Sequence, residues 1–323
     1  MGVKEEVLRT LRAEPEEYIS GQALADRLSV SRHAVWKAID KLRSEGYEID
    51  ARTNCGYRLV AAGDSLSAEG VAAFLPPSSP FKLEYHAVID STNIRARTLA
   101  EAGAPEWTVV LADSQTAGRG RLGRVFYSPQ ASGIYMSAIV RPDCDVLEAN
   151  LLTIAAATAV AEGIEAVCGM DVGIKWVNDC FVEERKVSGI LTEAAVGVEE
   201  QRLRYAVVGI GINVAPPNGG FPEGLEHIAT SIYTEPLQSE VRNRLAAEVL
   251  QRFRSYAEDL PGRAYFDSYR ARLFVLDRDV TLERGKDREK VHVRGLDDSG
   301  ALIVETADGR IKTVASGEVS LRF

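Results

Sequence analysis

At 323 residues, 46% of them hydrophobic and 26% charged, the chain has the composition of a globular protein long enough for two or three domains. A formal net charge of -9 argues against bulk attraction to nucleic acid, so any DNA contact must come from a local basic patch. The longest apolar run, around Leu151 to Ala161, is too short and too rich in Ala and Thr for a bilayer span, and the amino terminus lacks an apolar signal core, so the expectation is a cytoplasmic protein without membrane contact.

Residues 1–62 read as three helices and a hairpin. The first helix carries Val7, Leu8 and Leu11, and the second starts at Ser20-Gly21 and presents Leu24 and Leu28. Ser31 is placed to cap a third helix, in which Val35, Ala38, Ile39 and Leu42 form one apolar stripe. The opposite face carries His33, Trp36, Lys37, Asp40 and Lys41. Gly46 is read as its end, and Tyr47–Arg52 with Gly56–Val60 as a two-stranded wing with its tip near Thr53-Asn54. This is the winged helix-turn-helix plan. From Arg27 to Arg58 there are seven Lys/Arg against four Asp/Glu, whereas residues 4–26 hold three against six. Operator DNA is therefore the expected partner of Ser31, Arg32, His33, Trp36, Lys37 and Lys41; the alternative is a winged helix that contacts only protein.

Ala61–Ser65 reads as a linker, and Ser67–Leu75 as a short helix. Strands are expected at Leu83–Ile89, Thr108–Ala112, Ile134–Val140, Val172–Val177, Phe181–Val182, Val187–Glu193 and Arg204–Ile210. Helices are expected at about Ser91–Ala102, Ala149–Val167 and Ser239–Leu260. That mixed order predicts an α+β domain over 63–272 on one large mixed sheet. Over 273–323, short strands around Val280–Leu282, Val291–Arg294, Leu302–Val304 and Ile311–Val314, with turns at Asp298-Ser299-Gly300 and Asp308-Gly309, predict a small SH3-like β-barrel.

Within the middle domain, Gly118-Arg119-Gly120-Arg121-Leu122-Gly123-Arg124 alternates glycines with arginines, the makings of an anion-binding loop. Gly118, Gly120 and Gly123 also fit G-x-G-x-x-G, but a strand-like stretch follows where the dinucleotide motif needs a helix, so that reading is rejected. Cys55, Cys144, Cys168 and Cys180 are dispersed and expected reduced, with no metal-ligand spacing. No nucleotide-binding P-loop, nucleophile elbow or zinc-protease motif is present.

The arginine loop, Lys175-Trp176-Val177-Asn178-Asp179, Arg185-Lys186-Val187-Ser188-Gly189-Ile190 and Gly209-Ile210-Gly211-Ile212-Asn213 together resemble the biotin protein ligases. With the winged helix in front and Gly317–Arg322 at the close, the resemblance extends to the bifunctional members that repress the biotin operon. It implies a class II synthetase-like catalytic domain that activates biotin with ATP to biotinyl-5′-adenylate and passes biotin to a lysine of a biotin carboxyl carrier protein. Carried over to this chain, Lys186, Arg119 and Arg121 are the catalytic candidates. Ser91, Thr92, Asn93, Gln115, Gly118, Arg119, Gly120, Arg121, Lys186, Gly189, Gly209 and Gly211 are candidates for biotin, with Trp176, Leu191, Ile210 and Ile212 for its apolar slot. Arg121, Arg124, Phe126, Asn178, Asp179 and Asn213 are candidates for ATP or the adenylate, and Asp179 for Mg²⁺. The family commonly has proline where this chain has Val177, and many members have tryptophan at Phe126. The resemblance further implies an arginine loop that orders around the adenylate and a homodimer of the adenylate-bound form. A ligase without DNA binding, and a lipoate ligase or transferase of related fold, are the competing readings.

Overall fold

The computed structural model describes residues 2–320 except 15–16, 45–46, 54, 63, 146–147, 197–201, 236, 238–239, 285–286 and 316–317. The readings placed on Gly46, Asn54, Gly63, Ser239, Gly317, Leu321 and Arg322 lie outside the described residues.

Helices α1 (Val3–Ala13), α2 (Gly21–Leu28) and α3 (Arg32–Ser44) pack with the hairpin β1 (Tyr47–Arg52) and β2 (Gly56–Ala62). Ser20 and Ser31 cap α2 and α3, accepting from Ala23 N at 3.0 Å and Ala34 N at 3.1 Å. Val7, Leu8, Leu11, Leu24, Val35, Ile39 and Leu42 make a separate small core, and Leu28 lies half-buried at its edge. The face bearing His33, Trp36, Lys37 and Lys41 is thereby left in water.

Parts of the stretch expected to be a linker are ordered. Ala61 and Ala62 continue β2, and Asp64 is ion-paired with the buried Arg242. A lone acid among polar and small residues gives no local sign of a partner 178 residues away.

Helix α4 (Ala68–Phe74), capped by Ser67, leads into a seven-stranded mixed sheet. Its strands are β3 (Lys82–His86), β4 (Thr108–Ala112), β5 (Gly133–Val140), β6 (Gly173–Lys175), β7 (Asp179–Val182), β8 (Arg185–Val196) and β9 (Leu203–Asn213). The order is β3-β4-β5-β9-β8-β7-β6, parallel only between β3 and β4. Helix α5 (Thr92–Glu101) lies on one side, packed on β4, β5 and β9. On the other side lie α6 (Ala149–Cys168), α7 (Val241–Glu258) and α8 (Phe266–Arg272). Helix α8 was not foreseen: at seven residues it is too short for its periodicity to stand out.

Helix α6 ends on Gly169 in the left-handed region, as helices commonly do. At 20 residues it is longer than the apolar run that stood out in the sequence, and by length and composition alone it is long and apolar enough to cross a membrane. Most of it is buried against α7 and the sheet, the setting of a core helix.

The C-terminal part of the chain holds β10 (Asp279–Arg284), β11 (Asp287–Leu296), β12 (Leu302–Thr306), β13 (Ile311–Val314) and β14 (Glu318–Ser320). These make a five-stranded antiparallel sheet in the order β13-β12-β11-β10-β14. It docks through Trp176, whose Nε1 donates to the Gly300 carbonyl at 2.8 Å.

Candidate active site

The arginine loop is a small hairpin in its own right. Phe126 N donates to the Gly118 carbonyl at 3.0 Å and Gly120 N to the Arg124 carbonyl at 2.8 Å, with a single 3-10 turn over Arg121–Gly123 at the tip. A Cβ on Gly118 would sit 2.3 Å from the Phe126 carbonyl oxygen, so only glycine lets the two arms approach.

The hairpin roofs a cavity of about 440 Å³ floored by β7, β8 and β9. Arg119, Arg121, Arg124, Lys175 and Lys186 line it, and Asp179 is the one acid among the described lining residues. Each main cation is held by an oxygen acceptor. Lys186 Nζ donates to Asp179 Oδ1 at 2.7 Å, Arg121 to Asn178 Oδ1 at 2.8 Å, and Arg119 to Glu193 Oε1 at 2.9 Å. Asn178 is itself oriented by donating to the Ile190 carbonyl at 2.9 Å. A Cβ on Gly189 would meet Lys186 Nζ at 2.9 Å, so this glycine makes room for the ammonium.

Beside the cavity, and sharing Arg119, Phe126, Gly189 and Leu191 with it, is a polar niche lined by Ser91, Thr92, Asn93, Gln115, Gly209 and Gly211. Ser91 stands at the N-cap of α5 without using its side chain as a cap. Thr92 N and Oγ1 both donate to Gln115 Oε1, at 2.8 and 3.1 Å, and Gln115 Nε2 donates to Ser128 Oγ at 3.0 Å. Asn93 is the most constrained of the set: it donates to Glu193 Oε2 at 2.9 Å, accepts from Ser137 Oγ at 2.6 Å and is buried. A Cβ at Gly209 would fall 2.0 Å from its Oδ1. Asn93 therefore lines the niche with both ends of its amide held.

Phe126 divides niche from cavity. Its ring lies on Gly211, where a Cβ would come within 2.5 Å of it, and a Cβ on Gly189 would meet the ring at 3.4 Å. It also meets Tyr135 edge-on, with centroids 6.3 Å apart. With the ring there, the niche holds only about 20 Å³.

Asn213 lines the far end of the cavity and donates to the Thr230 carbonyl at 3.2 Å. Segment 228–230 is stitched to the backbone of Lys186, with Lys186 N donating to the Ile228 carbonyl and Thr230 N to the Lys186 carbonyl, each at 2.9 Å. Trp176 reaches the cavity lining while buried. Of the slot residues expected on β9, Ile210 and Ile212 stand two apart on one face of the strand and both belong to the core, while Ile210 also borders the niche.

Sequence reasoning missed the apolar wall made by Tyr127, Phe221, Leu225 and Ile228, and missed Val319, which the C-terminal sheet brings to the same cavity. Apolar residues at 221, 225 and 228 inside a Pro/Gly-rich stretch were the available signal. Glu193 was read only as the end of a strand. No cluster of three or more His, Cys, Asp or Glu suited to a metal occurs among the described residues.

On the winged helix, Trp36 is 52% exposed and stacks on His33 with centroids 5.9 Å apart. In the wing, Arg52 and Arg58 lie 4.6 and 4.7 Å from the ring of Tyr18, so two cations share one aromatic support.

Three family descriptions match successive parts of the chain: HTH domain at residues 3–58, Biotin/lipoate A/B protein ligase family at 85–213, and Biotin protein ligase C terminal domain at 275–322. The chain is 40% identical over 312 residues to the bifunctional ligase/repressor BirA of Bacillus subtilis, covering 94% of each chain. It is 32% identical over 314 residues to the protein of that name from Escherichia coli, covering 95% of this chain and 94% of the other. Among solved structures it is similar to the biotin protein ligase of Aquifex aeolicus in complex with biotin and ATP. There the TM-score is 0.61 at 30% identity, over 75% of this chain and 98% of that one.

Proposed function

The chain belongs to the family of bifunctional biotin ligase/repressors, and we propose that its own cavity brings biotin and ATP together, forms biotinyl-5′-adenylate and presents it to a lysine of a biotin carboxyl carrier protein. The observation that carries this reading is the charge of the cavity: five cationic side chains and one carboxylate line it. The reaction must bring a carboxylate against a triphosphate, and that repulsion is what a site has to offset.

In this reading the biotin carboxylate approaches the ammonium of Lys186 and attacks the α-phosphorus, pyrophosphate leaves, and Arg119, Arg121 and Arg124 neutralise phosphoryl oxygens. The acceptor amine then attacks the acyl carbon and AMP departs. The polar niche of Ser91, Thr92 and Gln115 matches a ureido ring, which offers two N–H donors and one carbonyl. The wall of Tyr127, Phe221, Leu225 and Ile228 suits the flat face of adenine, with Asn178 and Asn213 at its polar edges. A single carboxylate in the cavity fits a Mg²⁺ that arrives with phosphates and keeps its waters, so Asp179 is the residue that would hold it. When bound, that ion supplies charge neutralisation to the leaving pyrophosphate.

The winged helix makes the chain a repressor as well, with α3 entering the major groove of an operator. In this proposal the adenylate is the corepressor, its binding favours a homodimer with two half-sites, and the protein works in the cytoplasm. Isotope exchange between pyrophosphate and ATP, run with biotin, with lipoate and with neither, tests the ligase half. Biotin-dependent exchange is the expected result, and exchange with lipoate alone would transfer the chain to the lipoate branch. Sedimentation that does not change on adding biotin and ATP would sink the dimer coupling.

A further inference from the structure

Arg242, the second residue of α7, is the largest fully buried side chain among the described residues. A guanidinium is tolerated there only when its donors are met, and its partners are Asp64, Asp113 and Gly133. Toward the winged helix, its backbone N–H donates to Asp64 Oδ1 at 2.9 Å, its Nε to Asp64 Oδ2, and one terminal nitrogen to the Asp64 carbonyl. Toward the sheet, the other terminal nitrogen donates to Asp113 Oδ1 at 2.6 Å and to the Gly133 carbonyl at 3.2 Å.

Asp113 and Gly133 are the two ends of segment 114–132, which carries Gln115, the arginine hairpin, Phe126 and Tyr127. One planar fork therefore holds both roots of the loop that roofs the cavity. The residues around it extend the tie to the first domain. Asn243 accepts from Ser67 N at 3.1 Å and donates to the Ser65 carbonyl at 2.8 Å, and Glu240 is ion-paired with Arg12 of α1. Arg242 does not itself line the cavity.

We propose that Arg242 is a positioning residue for the ligase site: it sets the span between the roots of segment 114–132, and Asp64, on the chain leaving the winged helix, sets Arg242. The seating of the first domain thereby becomes a determinant of biotin binding. This inference rests on the ligase reading above. Asp64 touches segment 114–132 only through this guanidinium among the hydrogen bonds described, so it is the residue whose substitution separates positioning from simple packing.

The test uses full-length Asp64→Asn, Asp113→Asn, the double variant and Arg242→Lys in biotin-dependent pyrophosphate–ATP exchange, with thermal melts alongside. Both single variants are expected to raise KM for biotin about fivefold or more while kcat at saturating biotin stays within about twofold. The double variant is expected to be no worse than the poorer single one, because both act through one group. Arg242→Lys, which keeps the charge and loses the fork, is expected to show the raised KM. A lowered melting temperature with wild-type KM in Asp64→Asn would overturn the proposal, as would additive effects in the double variant. Absence of exchange in the wild type would instead remove the ligase reading on which it rests.

Discussion

Lys186 Nζ lies 2.7 Å from Asp179 Oδ1, so the cation proposed to meet biotin's carboxylate is held by a carboxylate across the β7–β8 pair. The same carboxylate is the one in the cavity able to meet a phosphate-bound cation. In the proposed reaction, substrate binding would exchange this one ion pair for two.

In the proposed reaction, Lys186→Ala would remove the counter-charge at the point where two anions meet. Biotin-dependent pyrophosphate–ATP exchange should fall on the order of a hundredfold in kcat, the loss typical of one oxyanion-stabilising contact. A fall of less than about fivefold would show that the arginines suffice without it.

Phe126 rests on Gly211 beside Gly189, where the proposal places the chain of a bound biotin. The ring must leave that floor before the ligand lies on it. Phe126→Ala should therefore bind biotin alone at least as tightly as wild type, and lose the adenylate faster because less aromatic area covers it. Calorimetry without ATP, and filter retention of preformed adenylate, read the two halves; markedly weaker biotin binding would make the ring a wall of the site.

Gly209 faces Asn93, and that amide cannot retreat because Ser137 and Glu193 hold its two ends. Gly209→Ala should destabilise the protein by about 1–3 kcal/mol, the usual cost of overpacking, and raise KM for biotin as the Asn93–Ser137–Thr92–Gln115 chain shifts. Thermal unfolding and exchange kinetics check both; an unchanged melting temperature would mean that Asn93 is freely displaced.

Lys37 stands on the exposed face of α3 among His33, Trp36 and Lys41. Lys37→Ala should weaken DNA binding about uniformly across sequences and reduce the slope of log K against log salt by about 1, as loss of one phosphate contact does. Fluorescence anisotropy over a salt series measures the slope. Loss of sequence discrimination with an unchanged slope would assign the lysine to base edges.

His292 is held by Asp279 at 2.8 Å and Asp277 at 3.0 Å, and these two hydrogen bonds raise its pKa above the usual histidine value. A raised folded pKa means stabilisation that is complete below the unfolded value and is lost as pH rises through the folded one. His292→Gln should therefore lower the melting temperature more at pH 5.5 than at pH 8.5. An equal loss at both would assign the histidine's role to packing.

The architecture was largely legible because local patterns carry it: Ser20 and Ser31 cap helices, Val35, Ala38, Ile39 and Leu42 recur at helical spacing, and Thr108–Ala112 is a strand of the expected length. The arginine loop could be recognised because glycine and arginine at that spacing have few other uses. The ion pair of Asp64 within the expected linker and the presence of α8 were not legible for one reason: neither stretch has a local period, and each is defined by what it touches.

By itself the sequence determined the order of the elements other than α8, the winged helix with its basic face, and the four motifs that carry the resemblance to biotin ligases, all of which depend on residues close together in the chain. The tertiary structure alone decided that Arg119 is held by Glu193 74 residues on, that Phe126 lies against Gly211, and that Phe221, Leu225 and Val319 wall the cavity. It also decided that Arg242 joins Asp64 to Asp113. Those relations follow from strand register and from how the layers close on one another, and the chain's local spacing carries no record of either.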